Sequence, residues 1–212
     1  MSHATTMHAV EPAESPLTPE SWGKLGMWVF LAGDAMTFGS LLAGYGALRA
    51  GSLDWPDPTK VLGINLTAAM TFLLICSSVT MVKGLSAIKH GNQKGMRNYL
   101  LLTALGGAIF LGLQAYEWTH LITGEHKVLF TTFGEQKSLF GATFYAITGF
   151  HGAHVTGGVI YLLIVVMNGL RGKYSAENYN GVEIVGLYWH FVDLIWILVF
   201  TFIYLIPNPP NP

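Results

Sequence analysis

Residues 144–161, FYAITGFHGAHVTGGVIY, decide the fold of this chain. The stretch is apolar enough to lie within a bilayer, yet it carries His151 and His154 with four glycines around them. Histidines three residues apart share one face of an α-helix, and glycines let neighbouring helices approach that face closely. A surface that faces lipid needs neither feature. We therefore predict a transmembrane helix that is buried in protein and turns its polar face inward.

The composition of the whole chain extends this prediction. Of its 212 residues, 51% are hydrophobic and 11% are charged, against about 25% charged residues in an ordinary soluble domain. The mean hydropathy is +0.45, and the net charge of −1 gives no indication of a nucleic-acid partner. The single cysteine, Cys76, excludes an intramolecular disulfide and a cysteine-ligated iron–sulfur cluster or zinc finger. These properties predict an all-α, polytopic membrane protein.

Five apolar spans divide the chain and predict a bundle of five transmembrane helices in one domain, residues 22–206. Each span exceeds the roughly 20 residues that cross a bilayer, so we expect some helix tilt. Residues 1–21 are polar and acidic and are expected to form a flexible tail, and residues 207–212 form a second, short tail. The spans cover about residues 24–48, 61–85, 99–121, 139–167 and 182–206.

The distribution of lysine and arginine predicts the orientation. With five spans, the N-terminus lies on the same side as the second–third and fourth–fifth loops, and this side holds seven of the 11 basic residues. The positive-inside rule then places the N-terminus in the cytoplasm and the C-terminus outside. The seven are Lys24, Lys83, Lys89, Lys94, Arg97, Arg171 and Lys173, and the other four are Arg49, Lys60, Lys127 and Lys137.

Eight polar side chains within the spans are the candidate functional residues. An ionisable group at the centre of a membrane costs about 2.5–3.5 kcal/mol on insertion scales if it is charged. Such groups are therefore expected to face protein or water and to have partners. The eight residues are Asp34, Gln114, Glu117, His120, His151, His154, His190 and Asp193.

Three interpretations of these residues remain open from the pattern alone. Six of these residues form three pairs, and within each pair the two members are three positions apart in the sequence. This spacing favours a hydrogen-bonded network that holds the bundle together. The second interpretation is a site that handles protons or binds lipid headgroups. The third is a metal site, because the spacing of Glu117 and His120 is that of di-iron carboxylate bundles. Such bundles need two of these motifs plus further glutamates, and the chain has one.

Three stretches together resemble subunit III of the haem-copper terminal oxidases. The resemblance covers about residues 22–205, with the stretches in the same order and at consistent spacing. They are GLQAYEWTHL at 112–121, FYAITGFHGAHVTGGVI at 144–160 and YWHFVDLIWILVFTFIYL at 188–205.

This resemblance implies a non-catalytic subunit of a proton-pumping cytochrome c oxidase in a bacterial cytoplasmic membrane. In the family, the haems and coppers belong to subunits I and II, so no cofactor is expected in this chain apart from bound phospholipid. The expected partners are subunits I and II and membrane phospholipids, with no nucleic acid. The expected roles are to support assembly, proton uptake and stability of the catalytic subunit, so the chain is part of an enzyme complex without its own redox centre.

Two departures from the family pattern keep alternatives open. Long members have seven helices, whereas this sequence predicts five. The first span reads FLAGDAMTF, where many cytochrome c oxidase members have glutamate in place of Asp34. Subunit III of a quinol oxidase, an accessory subunit of a nitric oxide reductase and a di-iron membrane enzyme are therefore the alternatives.

Overall fold

Five long helices form a bundle in the computed structural model, and each is long and apolar enough to cross a membrane. This confirms the predicted all-α membrane fold. The structure describes residues 22–52, 55–124, 128–129, 132–133 and 136–207, so the predicted tails lie outside it except for Pro207. The elements are α1 (Trp22–Ala50), α2 (Pro58–Val61), α3 (Ile64–Lys89), α4 (Gln93–Thr123), β1 (Thr132–Phe133), β2 (Gln136–Lys137), α5 (Phe140–Leu170), α6 (Asn180–Val199) and a π-helical segment (Phe200–Tyr204).

The second predicted span is interrupted near its start. Asp57 accepts a hydrogen bond from the Thr59 amide at 3.1 Å, and Pro58 occupies the first turn of the short helix α2. Hydrogen bonding from Thr59 also lowers the pKa of Asp57, which keeps the capping carboxylate ionised. The helix ends at Val61, and α3 begins only at Ile64. A capped proline turn therefore takes residues that the hydropathy pattern assigned to the membrane span.

A short hairpin joins α4 to α5. Its two strands pair antiparallel, with Thr132 opposite Lys137. The preceding residue Val128 is fully buried, and its carbonyl accepts a hydrogen bond from the Tyr145 hydroxyl at 3.0 Å. Val128 is therefore fastened to the first turns of α5.

Close helix packing in the core depends on glycine. A Cβ atom at Gly107 would lie 2.5 Å from the Trp189 ring, and one at Gly158 would lie 2.9 Å from the same ring. Trp189 on α6 therefore occupies a slot between α4 and α5 that only glycine leaves open. This large-into-small packing supplies attraction between helices inside a bilayer, where burial from water does not.

The end of α6 changes its winding. The π-helical segment carries Ile203 and Tyr204, and both side chains are fully buried. A π turn holds more residues than an α turn, and such segments are frequent at functional sites. Its consequence here is that Tyr204 faces the bundle interior opposite α3 and α4.

Candidate functional site

The carboxyl group of Glu117 joins three elements of the bundle. It is 3% exposed on α4. Its Oε1 atom lies 2.8 Å from the Thr67 hydroxyl of α3, and its Oε2 atom accepts a hydrogen bond from the Tyr204 hydroxyl at 2.9 Å. Both carboxyl oxygens are thus hydrogen-bonded by uncharged partners.

Asp34 and His154 form a second contact, between α1 and α5. The His154 Nε2 atom lies 3.2 Å from Asp34 Oδ1, and its Nδ1 atom lies 2.7 Å from the Phe150 carbonyl oxygen. Because a carbonyl only accepts, Nδ1 carries a hydrogen. The Nε2 atom and the carboxyl therefore share one further hydrogen, either as imidazolium and carboxylate or as neutral imidazole and acid.

His151 lies in different surroundings although it shares a helical face with His154. It is fully buried, and neither ring nitrogen has a hydrogen-bond partner among the described residues. Its ring centroid lies 4.8 Å from that of Trp196 and 5.6 Å from that of Phe110, which meets it edge-on. The imidazole is therefore packed as an aromatic ring within the core.

The other candidate residues are distributed over separate contacts. Gln114 is buried and donates to the Thr148 carbonyl at 2.7 Å. His190 lies 2.7 Å from the Ser78 hydroxyl, and Asp193 is 8% exposed. His120 is exposed, three residues before the end of α4. The eight residues thus form several local contacts, and within the described part of the chain the hydrogen bonds do not join all eight into one network.

The sequence interpretation missed the hydroxyl groups of α3. The Trp196 indole donates to the Thr71 hydroxyl at 2.9 Å, and the Trp189 indole donates to the Ser77 hydroxyl at 3.0 Å. The two tryptophans are seven residues apart on α6, which places them on one face. That spacing, beside the regular hydroxyls of α3, was the signal that could have identified the contact.

A cavity of about 250 Å³ lies beside Glu117, where α2, α3 and α4 meet. Most of its lining is aliphatic, and its ionisable side chains are Tyr116, Glu117 and His120. The lining residues are Val61, Leu62, Gly63, Leu66, Tyr116, Glu117, His120 and Leu121.

Among the described residues, few side chains that could bind a metal ion lie close to one another. Within the described parts of the chain, no group of three or more His, Cys, Asp or Glu side chains is placed so that it could hold a metal ion. Glu117 and His120 of the predicted di-iron motif differ in exposure, and the partners of Glu117 are hydroxyl groups. The Glu117 carboxyl therefore forms a polar contact between helices, with hydroxyl groups as its partners.

These features identify the protein as a multi-pass membrane protein. Its interior is held together by hydrogen bonds and by large side chains that pack against glycines. Residues 21–207 match the family model described as cytochrome c oxidase subunit III. The chain belongs to the cytochrome c oxidase subunit III family, whose members are non-catalytic subunits of haem-copper oxidases.

Curated relatives carry the same name and align over most of their length. Cytochrome c oxidase subunit 3 of Thermostichus vulcanus is 38% identical over 183 residues, which cover 86% of each chain. The protein of that name from Bacillus subtilis is 36% identical over 184 residues, or 85% of this chain and 84% of the relative. The one from Alkalihalophilus pseudofirmus is 33% identical over 181 residues, or 85% of each.

Proposed function

We propose that this chain acts as the non-catalytic third subunit of an aerobic respiratory cytochrome c oxidase. It supports assembly and stability of the catalytic subunit, aids proton uptake and holds phospholipid at its outer surface. The single observation that carries this proposal is the family match over residues 21–207, which includes all of the described residues.

The exposed face of α1 supports docking against a partner subunit. Only four of the 29 residues of α1 are buried. Glycine in the interior of a helix costs about 1 kcal/mol relative to alanine, and small residues at membrane helix interfaces allow close approach of another helix. The α1 glycines at which an added Cβ would meet no atom within 4 Å are Gly26, Gly33, Gly39, Gly44 and Gly46.

We assign the chain to a bacterial cytoplasmic membrane, with its N-terminus in the cytoplasm. Lysine and arginine near the ends of spans stay on the cytoplasmic side. The loop between α3 and α4 and the loop between α5 and α6 lie at the same end of the bundle, since Gln93 donates to the Tyr174 carbonyl at 3.0 Å. The basic side chains at this end therefore act together in setting the orientation.

The redox centres of the complex belong, in this proposal, to subunits I and II, and this chain contributes scaffold and lipid contacts. Isolation in mild detergent tests the assignment: haem- and copper-containing subunits of a cytochrome c oxidase should copurify with the tagged chain. Copurification of a quinol oxidase or a nitric oxide reductase would replace the proposed complex by that one. Stoichiometric iron in the chain separated from all partners would favour the di-iron alternative and contradict the proposal.

A further inference from the structure

His190 brings a hydrogen-bonding side chain to the middle of the bilayer, next to α3. It is the eleventh of the 25 residues of the span Asn180–Tyr204, and Ser78 is the fifteenth of the 26 residues of α3. At a rise of 1.5 Å per residue, each lies within about 3 Å of the midpoint of its helix. The imidazole is only half-buried there. It is therefore at a depth that water does not reach, and its own chain does not fully enclose it.

One side of the imidazole is bonded within the chain and the other is not. The Nδ1 atom of His190 lies 2.7 Å from the Ser78 hydroxyl, and the same hydroxyl also hydrogen-bonds with the Asp193 carboxyl. Among the described residues, the Nε2 atom has no hydrogen-bond partner. Because this nitrogen carries either a hydrogen or a lone pair, it needs a partner from outside the chain.

Ser78 determines which kind of partner fits. Its hydroxyl has one hydrogen, which can go to Asp193 or to the Nδ1 atom of His190. If the hydrogen goes to Asp193, Nδ1 carries the hydrogen of the neutral imidazole and Nε2 accepts. If it goes to Nδ1, then Nε2 carries the imidazole hydrogen and donates. An amide or a hydroxyl group can bond in either case, because each has both a donor and an acceptor.

The surface around the Nε2 atom is apolar. Exposed aliphatic side chains lie three, four or seven residues from His190 or Ser78, and so share the same side of the two helices. Lipid chains could cover these aliphatic groups but offer no hydrogen bond to Nε2, and an unpaired polar group in an apolar medium is costly. A second transmembrane helix can satisfy both. The aliphatic residues, which together with Ser78 and His190 form what we call the His190 face, are Ile75, Val82, Leu194 and Ile197.

We propose that the His190 face docks a transmembrane helix of a partner subunit, which presents an amide or hydroxyl side chain to the Nε2 atom at mid-membrane. A single polar pair in an apolar contact fixes the register of two helices, so His190 sets the axial position of the partner helix. This inference deepens the proposed function and rests on it for the identity of the partner. It adds a second docking surface to the exposed side of α1.

Photo-crosslinking in native membranes tests what covers the His190 face. Benzoylphenylalanine in place of Leu194, which is 55% exposed, should form an adduct with a mid-membrane segment of a copurifying subunit. Mass spectrometry should find an amide or hydroxyl side chain within one turn of the crosslinked residue. The matched control is the same probe at Leu105, which is 54% exposed near the middle of α4 and should give less of this adduct. Adducts with lipid alone at Leu194, or equal protein adducts at both positions, would overturn the proposal.

Two substitutions separate docking from a purely structural role of His190. The amide of asparagine can occupy the position of Nδ1 but not that of Nε2, whereas the longer glutamine reaches the position of Nε2. His190→Asn should therefore keep the bond to Ser78 and lose the bond to the partner, and His190→Gln should do the opposite. The fraction of partner subunit retained by the tagged chain at increasing detergent concentration should fall several-fold in His190→Asn and stay near the parent in His190→Gln.

Thermal unfolding of the chain separated from its partners should give the opposite order, with His190→Gln less stable than His190→Asn. If retention of the partner follows the stability of the separated chain, His190 has a structural role only and the proposal is overturned.

A failure of docking is distinguishable from a failure of the proposed function. A Leu194 adduct with a helix that has the expected amide or hydroxyl side chain, from a complex other than a cytochrome c oxidase, would support docking and contradict the proposed function. Copurification of the oxidase subunits with lipid adducts alone at Leu194 would contradict docking and support the proposed function.

Discussion

Helices α6 and α1 are both apolar and long enough to cross a membrane, yet they are attached to the bundle in different ways. Half of the 20 residues of α6 are buried, and its tryptophans donate hydrogen bonds to hydroxyl groups of α3. Four residues of α1 are buried. Polar contacts along its length help to attach α1 to its neighbours, among them Lys24 to Glu183 at 2.7 Å, Asp34 to His154 at 3.2 Å, and Arg49 to the carbonyls of Ile206 and Pro207, both at 2.9 Å.

The difference shows how helices associate when lipid is the solvent. Lipid tails are as apolar as leucine, so hydrophobic burial does not drive two helices together. Close packing and hydrogen bonds remain, and α6 uses both, with Trp189 seated against Gly107 and Gly158. Helix α1 is held in part by ionisable contacts and leaves five of its six glycines open, which suits a helix that receives part of its packing from another subunit.

Of the changes considered, overpacking at a core glycine should lower the free energy of unfolding most. Gly107→Val places methyl groups where the Trp189 and Val159 side chains lie, at 2.5 and 2.8 Å from the added Cβ. We expect a loss of about 1–3 kcal/mol in the free energy of unfolding. Unfolding by denaturing detergent measures it. Gly33→Val on α1 is the matched control, since no atom lies within 4 Å, and a loss as large in the control would contradict the difference between the two helices.

Removing the carboxyl of Asp34 should loosen α1 by a smaller amount. Asp34→Leu leaves the Nε2 atom of the partly buried His154 without its partner, which we expect to cost about 1–2 kcal/mol. Asp34→Asn should stay close to the parent, because its amide N–H can donate to the unprotonated Nε2 atom. Thermal unfolding compares the two variants. If the asparagine variant is as unstable as the leucine variant, a charged pair is required and the shared hydrogen is not sufficient.

The hydrogen bonds between α3 and α6 should each contribute less. Trp196→Phe removes the donor to Thr71 and also part of a fully buried ring, so the bond itself is measured as a coupling energy, which we expect to be about 0.6 kcal/mol, the average for such bonds in membranes. A double-mutant cycle with Thr71→Val isolates the coupling. Trp22→Phe serves as the control, because that side chain is 76% exposed. Additive effects of Trp196→Phe and Thr71→Val would mean that the bond does not stabilise the contact between α3 and α6.

The ion pair at the end of α1 should have the smallest effect. Lys24 and Glu183 are both 25% exposed, so water and salt screen them, and Lys24→Gln should cost about 0.3 kcal/mol. The effect should vanish at high ionic strength. Thermal unfolding at low and high salt checks this, and a salt-independent loss would place the contribution of Lys24 in packing of its aliphatic stem.

The sequence predicted the helices well because the bilayer leaves few alternatives. A span without water must satisfy its backbone internally, so long apolar runs become helices. The second span was predicted to begin at about residue 61, whereas α3 begins at Ile64, because the residues up to Val61 belong to the short helix α2. The π-helical segment was not predicted either; it carries Tyr204, whose hydroxyl donates to Glu117.

For the candidate residues, too, the sequence predicted some properties and could not predict others. That Glu117 and His151 lie in apolar helices could be predicted, and so could the shared face of His151 and His154. Their partners could not, because i, i+3 spacing reports neighbours on one helix and says nothing about the facing one. The structure places Asp34 beside His154 and surrounds His151 with aromatic rings. It also exposes His120, which the hydropathy pattern placed inside a span.

The sequence by itself determined that this protein spans a membrane five times and belongs with subunit III of the oxidases, because hydropathy and motif order are properties of the chain alone. Only the tertiary structure decided which polar groups meet. The hydroxyl of Thr67 and the phenol of Tyr204 are distant from Glu117 along the chain, and they reach it because α3, α4 and the π-helical segment converge there. Helix packing selects those partners, since each buried polar group must find whatever donor the neighbouring helix presents.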